Sequence, residues 1–235
     1  MSSKLDMTAM YAMHNALRRE LEYLARITAS SNDDPRHILR TGAGWELFKK
    51  ALHIHHTSED DALWPVMRQA LANRPDDLAL LDAMEAEHAA IDPRIEAIDA
   101  ALTDRDAGPQ HLGDLTDALA TNLTRHLEHE ENETLPLIGA TVTLQQWQHF
   151  GQVHASRTGP DTPRMLPWLL DSASDETIAT MLAPLPEPVR LAYHTEWQPA
   201  YAARNRWHAD TAGTTKGEDV MTTPTSWSWA PGTPA

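Results

Sequence analysis

The chain has no cysteine among its 235 residues. That absence excludes disulfides, thiolate zinc sites, sulfur-ligated clusters and thiol catalysis together. A reducing cytoplasm is the compartment it favours. No apolar run approaches the roughly 18 residues that a membrane span requires. The first residues, Met1 to Asp6, lack the apolar core of a secretory signal. Cations are scarce: 19 Lys and Arg stand against 34 Asp and Glu, a net charge of −15. Nucleic acid is therefore disfavoured as a partner, because phosphate recognition needs clustered Lys and Arg. The acidity reads as a solvated helical surface. Apolar residues make up 41% and charged residues 23%, the balance of a soluble globular protein.

What the chain does carry is a motif that occurs twice. His55 and Glu59 are four apart, with Pro65 six past the glutamate, and His126, Glu130 and Pro136 repeat that spacing. A lone histidine precedes each copy: His14 lies 41 residues before His55, and His88 lies 38 before His126. Around them Met10, Ala12, Ala16, Leu17 and Leu21 match Met84, Ala86, Ala90, Ile91 and Ile95 at a constant offset of 74. Two helix pairs, each bringing two imidazoles and a carboxylate, account for this pattern.

The periodicity supports helices throughout. Met10, Met13, Leu17, Leu21, Leu24 and Ile27 recur at three- and four-residue steps, as a buried helical stripe does. Ser30 to Pro35 ends that helix. A second is predicted from about Trp45 to Leu71, its start blurred by Thr41 to Gly44. A third follows the Asn73 to Asp76 turn, capped by Asp76 or Asp77 and reaching about Leu102, with a kink expected at Pro93. A fourth runs from about Leu112 to Ile138. Short connections between four helices imply an all-α, antiparallel up-down bundle over residues 1–140. A helical extension packing on the bundle is expected over 141–210. It comprises a helix capped by Thr143, a loop from Ser156 to Pro163, the apolar segment Met165 to Leu170, a helix from Asp175 to Leu182 and another from Glu187 to about Trp207, interrupted at Pro199. Residues 211–235, rich in Gly, Thr, Pro and Ser, are expected to form a flexible tail.

Side chains four apart on a helix share a face, so His55 projects with Glu59 and His126 with Glu130. Ionisable groups facing a bundle interior are costly unless paired or bound to metal. Imidazole with carboxylate suits iron, manganese or zinc. Each carboxylate has two oxygens, so Glu59 and Glu130 could each bridge two metals and leave open positions for small molecules. The ferritin-type plan fits worse, since only Glu85-x-x-His88 has its Glu-x-x-His spacing. The zinc-peptidase pattern His-Glu-x-x-His is absent.

The order His, His-x-x-x-Glu, His, His-x-x-x-Glu, with Trp64-Pro65 and Leu135-Pro136 closing the two copies, resembles the hemerythrin-like (HHE cation-binding) family. The resemblance covers about residues 7–140. It implies a four-helix bundle holding two non-heme irons joined by an oxo or hydroxo bridge, manganese remaining an alternative. The ligands it implies are His14, His55, Glu59, His88, His126 and Glu130. Oxygen-carrying hemerythrins have a second histidine four after the one on their third helix, where this chain has Asp92. Asp92, Glu85 or Tyr11 could take that place, each one turn from a ligand histidine. Tyr11 is also a weak candidate for an oxidisable or hydrogen-bonding neighbour.

The resemblance points to reaction with O2, hydrogen peroxide or nitric oxide, peroxide detoxification foremost. Binding or sensing of O2 or iron without turnover is one alternative. A di-iron oxygenase acting on an organic substrate is the other, with the extension as its pocket. Plainer roles are expected for the remaining groups. His37, His111, His149, His154, His194 and His208 read as surface or satisfied residues. His53, His56 and His129 are expected to face away from the metals by helical phase, with orientation of a ligand imidazole as their possible use. Trp45, Trp147, Trp168, Trp197 and Trp207 read as packing anchors. Leu166, Leu169, Leu170, Leu182, Leu185, Val189, Leu191 and Tyr193 give the extension an apolar face, with which it could cover an open end of the bundle.

Overall fold

The computed structural model describes residues 5–29, 35–41, 43–104, 108–204 and 206–207. The tail at 211–235 lies outside them, as does His208. Every regular element among the described residues is helical. Four long segments form the bundle. They are α1 (Thr8–Ala29), α3 (Ala43–Ala62) continued by α4 (Trp64–Ala70), α5 (Pro75–Thr103), and α6 (Pro109–His129) continued by a π-helical turn (Glu130–Thr134) and α7 (Leu135–Thr141). A short α2 (Pro35–Thr41) lies between α1 and α3. α6 packs on both α5 and α1, and α3 touches α1 and α5, which closes the bundle.

Several predicted boundaries shift for identifiable reasons. The second predicted helix divides at Leu63, because Pro65 has no N–H to continue α3 and sits instead in the first turn of α4. The fourth divides at the π turn, again just before a proline, Pro136. Pro35 opens α2 rather than ending structure. α5 begins at Pro75, so Asp76 and Asp77 lie in its first turn and favour its N-terminal dipole instead of capping it. α5 is helical through Pro93 to Thr103.

The apolar residues form two cores along the bundle axis. One gathers Leu17, Leu21, Leu24, Phe48, Leu52, Ile91, Ile98, Leu119, Leu123 and Leu127. The other gathers Met10, Leu63, Trp64, Met67, Leu81, Met84, Leu135 and Ile138. On each of the four segments the motif residues fall between these sets, so a polar layer separates two apolar ones.

The extension is α8 (Leu144–Thr158), a 3-10 turn (Gly159–Asp161), α9 (Thr162–Leu170), α10 (Asp175–Leu182), α11 (Glu187–Ala192), a π turn (Tyr193–Trp197) and α12 (Gln198–Ala202). Thr143 caps α8 in a reciprocal box with Gln146, as its sequence predicts. The predicted loop from Ser156 to Pro163 is almost wholly helical. Pro199 does not interrupt a helix but opens α12. Leu166, Leu170, Leu182 and Tyr193 form a small core of their own.

The extension lies along the flank made by α1 and α3, with α8 on α3 and α9 and α10 on α1. It is not placed as a cap over one end. This breaks the symmetry of the repeat: Ala12 and Ala16 are buried, whereas Ala86 and Ala90, their counterparts on α5, are exposed. A buried carboxylate fastens the last described residues. Glu20 accepts from Arg19 Nε at 2.9 Å and from Trp207 Nε1 at 2.7 Å. Trp207 stacks on Tyr23 with ring centroids 6.2 Å apart. Gly44 donates its N–H to the Arg206 carbonyl at 3.0 Å, and a Cβ there would lie 2.5 Å from the Trp207 ring. Only glycine permits so close an approach.

Candidate metal centre

Seven motif side chains converge in the polar layer. α1 supplies His14, α3 supplies His55, His56 and Glu59, α5 supplies His88, α6 supplies His126, and the π turn begins with Glu130. All seven are buried, the most accessible being His56 at 5%. They form two groups whose ligand atoms lie within 4.8 Å of one another: His14 with His55 and Glu130, and His56 with His88 and His126. Glu59 stands between the groups, one oxygen 3.4 Å from His55 Nδ1 and the other 3.6 Å from His88 Nε2.

His56 corrects the reading from helical phase. Helical residues advance by about 100° each, so from His55 the sequence reaches Glu59 at about 40° and His56 at about 100°. The glutamate lies between the two histidines, and an interior wide enough for two groups takes all three. The His56 ring stacks on that of His88, with centroids 4.0 Å apart and planes 8° from parallel. The sequence signal was the three-residue spacing of His56 and Glu59, which places them on one face.

Three of the imidazoles are oriented from behind by carboxylates. Glu131 accepts from His14 Nδ1 at 2.9 Å and is itself gripped by both arms of Arg18, at 2.7 and 2.9 Å. Asp60 accepts from His88 Nδ1 at 2.8 Å, and Glu87 from His126 Nδ1 at 3.0 Å. A carboxylate can only accept, so each Nδ1 carries the proton. Each Nε2 is thereby turned inward, which fixes the tautomer as partners of metal-binding histidines do. Glu87 also accepts from His129 Nδ1 at 3.0 Å, so His129 helps to hold the carboxylate that orients His126. The sequence reading missed Asp60, Glu87 and Glu131, although each is adjacent to a motif residue.

Most of the inward atoms find no partners among themselves. His56 Nε2, His88 Nε2, His126 Nε2 and both oxygens of Glu59 and of Glu130 are buried without a hydrogen bond. Glu130 Oε2 is 3.1 Å from His14 Nε2, but not in hydrogen-bonding alignment. His14 Nε2 and His55 Nε2 face each other at 3.2 Å. Electrostatics in the cluster follow from this crowding. Burial disfavours the charged form of His14, but Glu130 and Glu131 outweigh it and raise its pKa to about 9. Burial, then the neighbouring imidazoles, pushes His55 and His56 far down, so both are neutral. Burial, then Glu130 and Asp60, pushes the Glu59 carboxyl well up. Burial opposes ionisation of Glu130 as well, yet His14 above all holds it well below the usual carboxylate range. Uncompensated buried acceptors of this kind are destabilising unless a cation draws on them. Neutral imidazoles with carboxylates are the donor set that divalent iron or manganese accepts.

The weaker candidates are not brought to this layer. Glu85 is exposed and pairs with Arg68, Oε2 to Nη2 at 2.8 Å. Tyr11 is 45% exposed and lines a surface groove with Asn15, Arg19 and Asp171. Asp92 is half-buried, which raises its pKa, and it joins neither group. His154 on α8 is partly buried, and burial followed by Arg157 lowers its pKa to about 4.

No helix among the described residues is long and apolar enough to cross a membrane. Searches of curated proteins and of solved structures found no match. The family pattern described as the hemerythrin HHE cation binding domain matches residues 6–138, more than half of the chain and all seven convergent side chains. With the bundle, the duplicated motif and the buried His/Glu groups able to hold metal in place, the chain belongs to the hemerythrin HHE cation-binding family.

Proposed function

We propose that this layer holds two irons and that the protein reacts there with small oxidants, O2, hydrogen peroxide or nitric oxide, in a peroxide-detoxifying role in the cytoplasm. The observation that carries the reading is the convergence of seven buried side chains, five of which have inward nitrogens or oxygens without a hydrogen-bond partner. The ligand set is His14, His55, Glu59, His88, His126 and Glu130, with His56 as a fifth imidazole. His56 takes the role left open by Asp92. Glu59, between the two groups, and Glu130, in the first, are the carboxylates that would help to hold the metals.

Iron supplies reversible one-electron redox chemistry and Lewis acidity when bound. The chain's own residues do the rest. Glu131, Asp60 and Glu87 hold three imidazoles in the tautomer that presents Nε2. The apolar layers on either side exclude water and strengthen electrostatic interactions within the cluster. His14, whose pKa is raised in the metal-free fold, would shed a proton to present Nε2 as a ligand, so metal uptake would release protons.

The test is ferrous loading under anaerobic conditions, then air, with metal analysis and absorption spectra throughout. Two irons per chain with near-ultraviolet oxo-bridge bands, followed by loss of added peroxide, support the proposal. One metal or none, unchanged in His55→Ala and His126→Ala proteins, refutes it.

A further inference from the structure

The two motif copies differ just past their glutamates. Four residues after Glu59 stands Leu63, and four after Glu130 stands Thr134. Both are fully buried. Four residues is close to one turn in either an α- or a π-helix, so Thr134 stays on the interior face beside Glu130. Its position is on the side of the second apolar core, to which Leu63, Trp64, Leu135 and Ile138 belong.

Thr134 Oγ1 has no hydrogen-bond partner. Several helical hydroxyls in the chain donate to the carbonyl four residues back. Thr57 does so to His53 at 2.7 Å, Ser58 to Ile54 at 2.6 Å and Thr158 to His154 at 3.0 Å. At Thr134 the π turn intervenes, and the Glu130 carbonyl accepts the Leu135 N–H instead. A second unpartnered buried donor, Trp64 Nε1, belongs to the same core, its ring 6.3 Å from that of His88. Valine would fill the Thr134 site without burying a hydroxyl, and the other motif copy has leucine there. Within the fold the hydroxyl has no hydrogen-bond partner.

We propose that Thr134, with Trp64 as a second donor, forms a hydrogen-bonding subsite for a small exogenous ligand that enters the cluster beside Glu130. The ligand class is a small anion or peroxide-like molecule with acceptor atoms to receive these protons. The inference rests on the metal-centre reading above and adds which residues select the ligand.

Azide is the probe, titrated spectrophotometrically into the iron-loaded full chain. Thr134→Val is expected to weaken azide binding about tenfold, the effect of one lost hydrogen bond to an anion. Thr134→Ser is expected to bind within about twofold of the parent. Trp64→Phe, which removes the indole N–H, is expected to weaken azide as well. Iron content stays unchanged in Thr134→Val, and its metal-free form melts no lower than the parent. An azide affinity in Thr134→Val within about twofold of the parent overturns the inference and leaves the metal centre standing. A lower melting temperature of metal-free Thr134→Val with unchanged azide affinity also overturns it, since the hydroxyl then serves the fold. A parent protein that takes up no iron overturns both readings.

Discussion

Glu59 offers the sharpest test of the balance between stability and function in this layer. Both of its oxygens are buried without a donor, and burial with Glu130 and Asp60 pushes its carboxyl toward the neutral form. In the metal-free protein it is therefore a desolvated polar group with no compensating hydrogen bond. Such a group costs about 1–3 kcal/mol. Leucine has a similar volume and brings no polar atom, so Glu59→Leu removes the penalty without leaving a cavity. Metal-free Glu59→Leu should be about 1–3 kcal/mol more stable than its parent. At about 2–4 °C per kcal/mol for a chain of this size, the melting temperature should rise by about 2–12 °C. The same variant should lose metal, because it lacks the carboxylate that stands between the two groups. The assay is thermal and urea denaturation of chelator-treated protein, paired with metal analysis after loading. A metal-free variant that melts below its parent, or one that still binds two metals, refutes the reasoning.

Three further outcomes follow from the geometry. His56→Ala should reduce bound metal or weaken the looser site at least about tenfold, with little change in helix content, because second-group nitrogens would fall to His88 and His126; unchanged stoichiometry and affinity would return His56 to a packing role. Gly44→Ala should destabilise the chain by about 1–3 kcal/mol, since its Cβ would meet the Trp207 ring, and the expected readout is a lower urea midpoint with altered tryptophan fluorescence. The pKa of His14 is raised in the folded metal-free protein, from 6.5 to about 9. Its contribution to stability is therefore complete below pH 6.5 and is lost as pH rises through 9, because the unfolded state gives up the proton first. Urea midpoints of metal-free protein should fall across that window, and the part due to this residue should vanish in His14→Gln; an identical pH dependence in the variant would refute the assignment.

Much of this was readable from local spacing. Residues four apart share a helix face whatever surrounds them, so His55 with Glu59 and His126 with Glu130 announced an interior polar layer. The offset of 74 between His14 and His88 announced two helix pairs. The Thr143 cap and the absence of cysteine carried equally local meanings. Three kinds of fact needed the assembled bundle. The interior was wide enough to admit His56 as well as His55, a matter of helix separation rather than of phase. Glu131, Asp60 and Glu87 orient imidazoles that belong to other helices, in each case across more than 25 residues of chain. The π turn at Glu130 directs Glu130 inward, Glu131 toward His14, and leaves the Thr134 hydroxyl without its usual acceptor. Periodicity reports which face a residue occupies relative to its own helix axis. The distance between axes, the rotation of one helix against another and a locally widened turn are set by packing among all of them, and so only the tertiary structure decided them.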